Sequence, residues 1–166
     1  MSLNDIQLPP IVLHQLYKYS LIDLNCGQAP GEKNTSKLFS TLGNNQRLIC
    51  ILVESNETLH LPDDQLSFLL GILAACNLTM EDVAILNVKK NQAVTYKTVT
   101  KELKPEKLIL FGVTPAQIAL PLDFPYYQVQ QYNNQVYLTA PELSDFHDNK
   151  TEKTKLWNCL KQIFAI

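Results

Sequence analysis

Hydrophobic positions along the 166-residue chain change their period several times, and each change predicts an element. After Pro9-Pro10, IVLHQLYKYSLIDL places Ile11, Leu13, Leu16 and Tyr17 on one side of a helix or helical turn. CGQAPGEK (26–33) then breaks that pattern with proline and glycine. RLICILVES (47–55) is a continuous apolar, β-branched run, which suits a strand covered on both faces. Pro62 opens a helix whose first turn carries Asp63 and Asp64, where negative charge complements the helix dipole. Leu66, Leu69, Leu70 and Leu73 form its apolar face, and Asn77 marks its end. Thr79 to Asp82 reads as a capped single turn leading into VAILNV (83–88), a second strand. A polar, lysine-bearing stretch precedes KLILFG (107–112), a third apolar strand. Thr114-Pro115 is a cap with proline at the first helical position, so AQIAL is expected to be a short helix. YYQVQQYNNQVYLTA alternates on either side of Asn133-Asn134 and predicts a hairpin. Leu156, Trp157, Leu160, Ile163 and Phe164 predict a C-terminal amphipathic helix.

The order strand–helix–strand–helix–strand–helix–hairpin–helix is that of an α/β protein. It predicts a three-layer α/β/α sandwich with a mainly parallel central sheet built from 47–54, 83–88, 107–112 and 136–139. The length fits one domain, and no internal repeat or low-complexity segment divides it. A net charge of −2 and a single arginine, Arg47, argue against a protein that coats nucleic acid, so direct nucleic-acid contact is expected to be weak or absent. Six lysines between Lys89 and Lys107 are the one basic concentration, read as a solvated face or a local phosphate-contacting surface. Cys26, Cys50, Cys76 and Cys159 are too scattered for a zinc or iron–sulfur site, so no metal or cofactor is expected. The N-terminus has no secretory pattern and no stretch reaches membrane-spanning length, which predicts a cytoplasmic protein.

Candidate chemistry belongs at the carboxyl ends of the strands, where ligands bind in open α/β sheets. Those ends are Glu54-Ser55-Asn56, Asn87, Gly112-Val113-Thr114 and Thr139-Ala140-Pro141-Glu142. Glu54 can act as a general base, and the amide of Asn87 can read a base or amide edge with donor and acceptor together. These strand-end polar groups can equally cap loops. The three histidines, His14, His60 and His147, do not assemble by spacing.

From Arg47 to Phe164 the chain resembles the uracil-DNA glycosylase superfamily in the order and spacing of its elements. LSFLLGILAACNLTMEDVAILNVKK is similar to that family's helix, turn and strand ending in the uracil-reading asparagine, which would be Asn87. PEKLILFGVTPAQIA resembles its proline-led strand, glycine and small-residue helix. VYLTAPELSDFHDNKTEKTKLWNCLKQIF resembles its final strand, histidine loop and last helix. By this alignment CGQAPGEK lies one strand too early to be the catalytic loop, whose place is taken by ESNET. Ala140 stands where the family's histidine should be, and Leu61 falls near its base-stacking aromatic. A glycosylase must extrude a base, stack it, read its edge and stabilise the departing anion. The resemblance therefore implies a vestigial pocket of Glu54, Ser55, Asn87, Gly112, Thr139, Ala140, Pro141 and Glu142, with no catalytic residue.

The same residues resemble a non-catalytic branch of that fold, the psi subunits of bacterial DNA polymerase III. RLICILVE…LPDDQLSFLLGILAACNLTMEDVAIL and ELSDF…KTKLWNCLKQI are similar to psi's first strand, helix, second strand and last helix. This implies an accessory, protein-interaction subunit of a clamp-loader assembly, linked to single-strand-binding components. The competing expectations are a degenerate domain that still binds a nucleobase or nucleotide, and a weakly active glycosylase. Residues 1–46 form a separate segment before a 47–166 domain, with Leu13, Leu16 and Tyr17 either packing on the core or docking a partner.

Overall fold

A computed structural model describes residues 39–165, which lie within one compact unit, Ser36–Ile166. The apolar face of Leu13, Leu16 and Tyr17, and the CGQAPGEK stretch, fall outside the described residues. Among the described residues the fold is α/β: a six-stranded mixed sheet with three helices. In chain order its strands are β1 (Thr41–Leu42), β2 (Ile49–Val53), β3 (Val83–Asn87), β4 (Lys107–Phe111), β5 (Val129–Tyr132) and β6 (Gln135–Ala140). The helices are α1 (Asp63–Ala75), α2 (Tyr96–Leu103) and α3 (Lys150–Phe164).

The sheet runs β1-β3-β2-β4-β6-β5. The four expected strands are mutually parallel neighbours, β3 on β2, β2 on β4 and β4 on β6. The expectation of a mainly parallel sheet is corrected at the edges, where β1 and β5 pair antiparallel and make the whole sheet mixed. The β5–β6 pairing follows from its connection, since a two-residue turn can join only antiparallel strands. Asn133 and Asn134 supply that turn with φ of 51° and 61°, the left-handed values a hairpin turn of this kind needs. On the other edge, β1 pairs Thr41 with Leu86 and Leu42 with Ile85, so the sheet begins before residue 47. Gly43 follows it at φ 102°, where an added Cβ would run into the carbonyl oxygens of Met80 and Val83.

Every residue of β2 and β3 is buried, which is why both read as apolar runs rather than alternating ones, with the polar Asn87 only at the end of β3. Ile49, Ile51 and Val53 pack with Leu69 and Leu73 of α1 and with Leu156 and Leu160 of α3. Cys50 and Leu52 join a second cluster with Val99 of α2, Val113, Ile118 and Phe124. Helix α1 ends as its sequence predicts: Asn77 adopts φ 55°, and the Leu78 and Asn77 amides return to the carbonyls of Leu73 and Ala74. Leu70 departs from its expected place on the apolar face and is 40% exposed. The packed arc runs from Phe68 and Ile72 through Leu69 and Leu73 to Leu66, and Leu70 lies just past its edge.

The helix that the element order requires between β3 and β4 is α2, within the lysine-bearing stretch. It starts on a reciprocal cap: Thr95 Oγ1 accepts from the Thr98 amide at 3.2 Å, and Thr98 Oγ1 accepts from the Thr95 amide at 2.9 Å. AQIAL is corrected from a short helix to a single 3-10 turn, Pro115–Ile118, ended by Ala119 at φ 53°. No helix among the described residues is long and apolar enough to cross a membrane.

Candidate functional site

Chain order reverses across the centre of the parallel strands. β2 connects through α1 to β3 on one side, and β3 returns through α2 to β4 on the other. Such a reversal opens a crevice at the carboxyl ends of the diverging strands, here after Val53 and Phe111. A cavity of about 250 Å³ lies there, lined among others by Glu54, Ser55, Gln65, Lys89, Gly112 and Glu142. The structure thus brings together Glu54, Ser55, Gly112 and Glu142 from the expected set. Asn87, Thr139, Ala140 and Pro141 do not line the cavity.

Both carboxylate oxygens of Glu54 are engaged. Oε1 pairs with Lys89 Nζ, and Oε2 accepts from Gln117 Nε2 at 2.9 Å. The Lys89 hydrogen bond holds the carboxyl below its ordinary range against an opposing effect of burial, and Gln117 adds to the lowering. A carboxylate stabilised in this way is a weaker proton acceptor than a free one, which diminishes Glu54 as a general base.

Asn87 ends β3 and is wholly buried. Its Oδ1 accepts from the amides of Ser55 at 3.2 Å and Lys89 at 3.1 Å. Its Nδ2 donates to the carbonyls of Ser55 at 2.8 Å and Thr58 at 3.2 Å. Two donors and two acceptor sites are the whole capacity of an amide side chain, and the main chain takes all four. Asn87 therefore ties the segment after β2 to the end of β3, and its amide presents no edge to a ligand.

At the end of β4, Gly112 has φ 68° and donates its amide to the Ala140 carbonyl at 3.0 Å. A Cβ at Gly112 would stand 3.3 Å from Cβ and Cγ of Glu142, so the two strand-end loops press together. Ala140 is fully buried and Thr139 nearly so, with Thr139 Oγ1 donating to the Pro125 carbonyl at 3.2 Å. Glu142 is exposed at the rim and Pro141 is half-buried. Leu61 is buried in the core that holds α1.

Two residues that engage Glu54 carry no site signal in the strand-end pattern. In the sequence Lys89 is one of a concentration of six lysines, and Gln117 lies within the AQIAL turn. The signal for Gln117 was present, because Thr114-Pro-Ala-Gln117 fits the capping pattern in which a glutamine returns to the first amide of a turn. Gln117 Oε1 does accept from the Thr114 amide at 2.6 Å, and this turn holds its Nε2 toward Glu54. Among the described residues, no group of three or more His, Cys, Asp or Glu side chains is placed to hold a metal. His147 stands exposed beside Asp148, and His60 lies in the loop before α1. Cys50, Cys76 and Cys159 are buried free thiols, and burial pushes Cys50 up to about 12. Compared with known protein families and with curated proteins, the chain matches none.

Proposed function

We propose that this chain is a non-catalytic protein-interaction subunit built on a glycosylase-like scaffold, a psi-like accessory component of a polymerase clamp-loader assembly. The observation that carries the reading is Asn87. The residue that a glycosylase-like enzyme would use to read a base is consumed by four main-chain hydrogen bonds. The companion groups agree with it. Glu54 is ion-paired to Lys89 and hydrogen-bonded by Gln117, and a small side chain, Ala140, stands where the resemblance expects a histidine. A chain that keeps the architecture while its polar groups hold its own loops together has its surface left as the means of acting.

The finer architecture belongs to the same proposal. The parallel strands run second-first-third-fourth in chain order, an order shared with doubly wound sheets, and apolar clusters cover both faces. Both features support a three-layer α/β/α sandwich of the glycosylase-like kind. The test is purification of the tagged full chain from its native host, alongside an excision assay on uracil-containing DNA. Recovery of clamp-loader or single-strand-binding components with no uracil release supports the proposal. Uracil release that disappears in Glu54→Gln or Asn87→Ala overturns it, as does a purification that recovers none of those components.

A further inference from the structure

The segment from Lys89 to Lys107 carries six lysines against two glutamates, in a chain whose net charge is −2. Helix α2 organises much of this charge. Lys97 and Lys101 are four residues apart on one flank, and Lys104 follows at the helix cap. Lys97, Lys101, Lys104 and the preceding Lys90 are all exposed, and among the described residues none of the four is ion-paired.

The adjoining face of α2 meets the β5–β6 hairpin. One helical step away from the lysines, Tyr96 meets Tyr132 edge-on with ring centres 6.4 Å apart, and Thr100 Oγ1 donates to Gln135 Oε1 at 3.3 Å. Glu102 falls on the opposite flank. At the hairpin tip lies a second cavity, of about 470 Å³, lined by Gln131, Tyr132, Asn133, Asn134, Gln135 and Val136. From Tyr126 to Pro141 the chain has no charged residue, so this wall is amides, one tyrosine and Val136.

We propose that the lysine flank of α2 and the tip of the β5–β6 hairpin together form a local binding surface for single-stranded nucleic acid. The lysines contact phosphates, while Tyr132 and the amides of Asn133 and Asn134 meet the bases. Cationic tracking of the backbone beside an aromatic and polar wall is the arrangement that takes unpaired strands. An acidic peptide would use the lysines, but it has no use for an uncharged wall that both donates and accepts.

The test is fluorescence anisotropy of a labelled oligothymidylate with the full chain across a salt series. Three phosphate contacts, from Lys97, Lys101 and Lys104, predict a slope of log affinity against log salt of about −2.1. Lys97→Glu/Lys101→Glu should weaken binding by roughly tenfold or more and flatten that slope by about 1.4. Tyr132→Leu should weaken binding at fixed salt and leave the slope unchanged. The same charge reversals on α3, Lys150→Glu/Lys161→Glu, should change affinity by less than about twofold, because α3 packs in the apolar cluster that does not contain α2 or Tyr132. Absence of binding at low salt overturns the proposal, and so does equal weakening by the α3 reversals. If polyglutamate displaces the oligonucleotide while Tyr132→Leu has no effect, the surface docks acidic protein and the nucleic-acid assignment is wrong.

Discussion

Replacing Asn87 with alanine removes one side chain and strands four main-chain groups. The Ser55 amide and carbonyl are buried, and each costs about 1–3 kcal/mol when left without a partner. The Lys89 amide and Thr58 carbonyl lie where water can reach them, so each loses only about 0.5–1 kcal/mol net. Partial relaxation of the 55–58 segment brings the expected total to about 4 kcal/mol, a large fraction of the roughly 5–15 kcal/mol that holds a domain together. Urea unfolding followed by circular dichroism reads this as a lowered midpoint with an unchanged slope. Asn87→Asp sharpens the test, because it keeps the size and the acceptors while turning both donors into a carboxylate that faces two carbonyl oxygens. That burial and repulsion raise the carboxyl's folded value above its unfolded one. The variant's stability is therefore fullest at acid pH and is lost as pH rises through the folded value. A loss below about 1 kcal/mol in Asn87→Ala would show that the side chain does not tether these groups, since a residue holding four of them cannot be dispensable. It would mean that the amide is free to serve a ligand.

Gly112→Ala should cost about 1–2 kcal/mol in chemical denaturation, because φ 68° is left-handed and the new Cβ meets Glu142; Glu142→Ala in that background should recover part of the loss. Glu54→Gln should flatten the acid limb of the stability curve. The depressed carboxyl contributes stability above its unfolded value of about 4.3, and that stability is lost as pH falls through the lower folded value. The effect should stay below about 1 kcal/mol, since Lys89 is largely solvated, and a wild-type acid limb unchanged in the variant would exclude the ion pair as its source. Tyr137→Phe removes a buried hydroxyl that donates to Gln135 at 2.7 Å, at a cost of about 1 kcal/mol at neutral pH. Burial pushes this phenol up to about 12, so wild-type stability should fall between its ordinary value near 10 and about 12 as the phenol ionises. The phenylalanine variant should lack that component of alkaline unfolding, and an identical alkaline curve would show that Tyr137 does not contribute.

Elements whose signal is local are legible in the chain before any tertiary contact is known. The run ICILV announced a doubly covered strand because nothing polar interrupts it, and all five of its residues are buried. Asn133-Asn134 announced a hairpin because few residues accept two successive left-handed conformations. Asp63, Asp64 and Asn77 marked the ends of α1 through dipole and cap chemistry that operates within one turn. Only the tertiary structure decided the strand order, the antiparallel edge made by Thr41 and Leu42, and the fates of the strand-end polar residues. Asn87 shows why. Its type and position permit an edge-reading amide or a loop clamp equally well, and the choice depends on where the Ser55 and Thr58 main chain lies, some thirty residues away in sequence. Gln117 reaches Glu54 across an even longer separation, through a turn that folds on its own but is aimed by the sheet beneath it. Patterning records burial and local conformation, whereas the hydrogen-bond partners of a buried polar group are set by backbone that arrives from elsewhere in the chain.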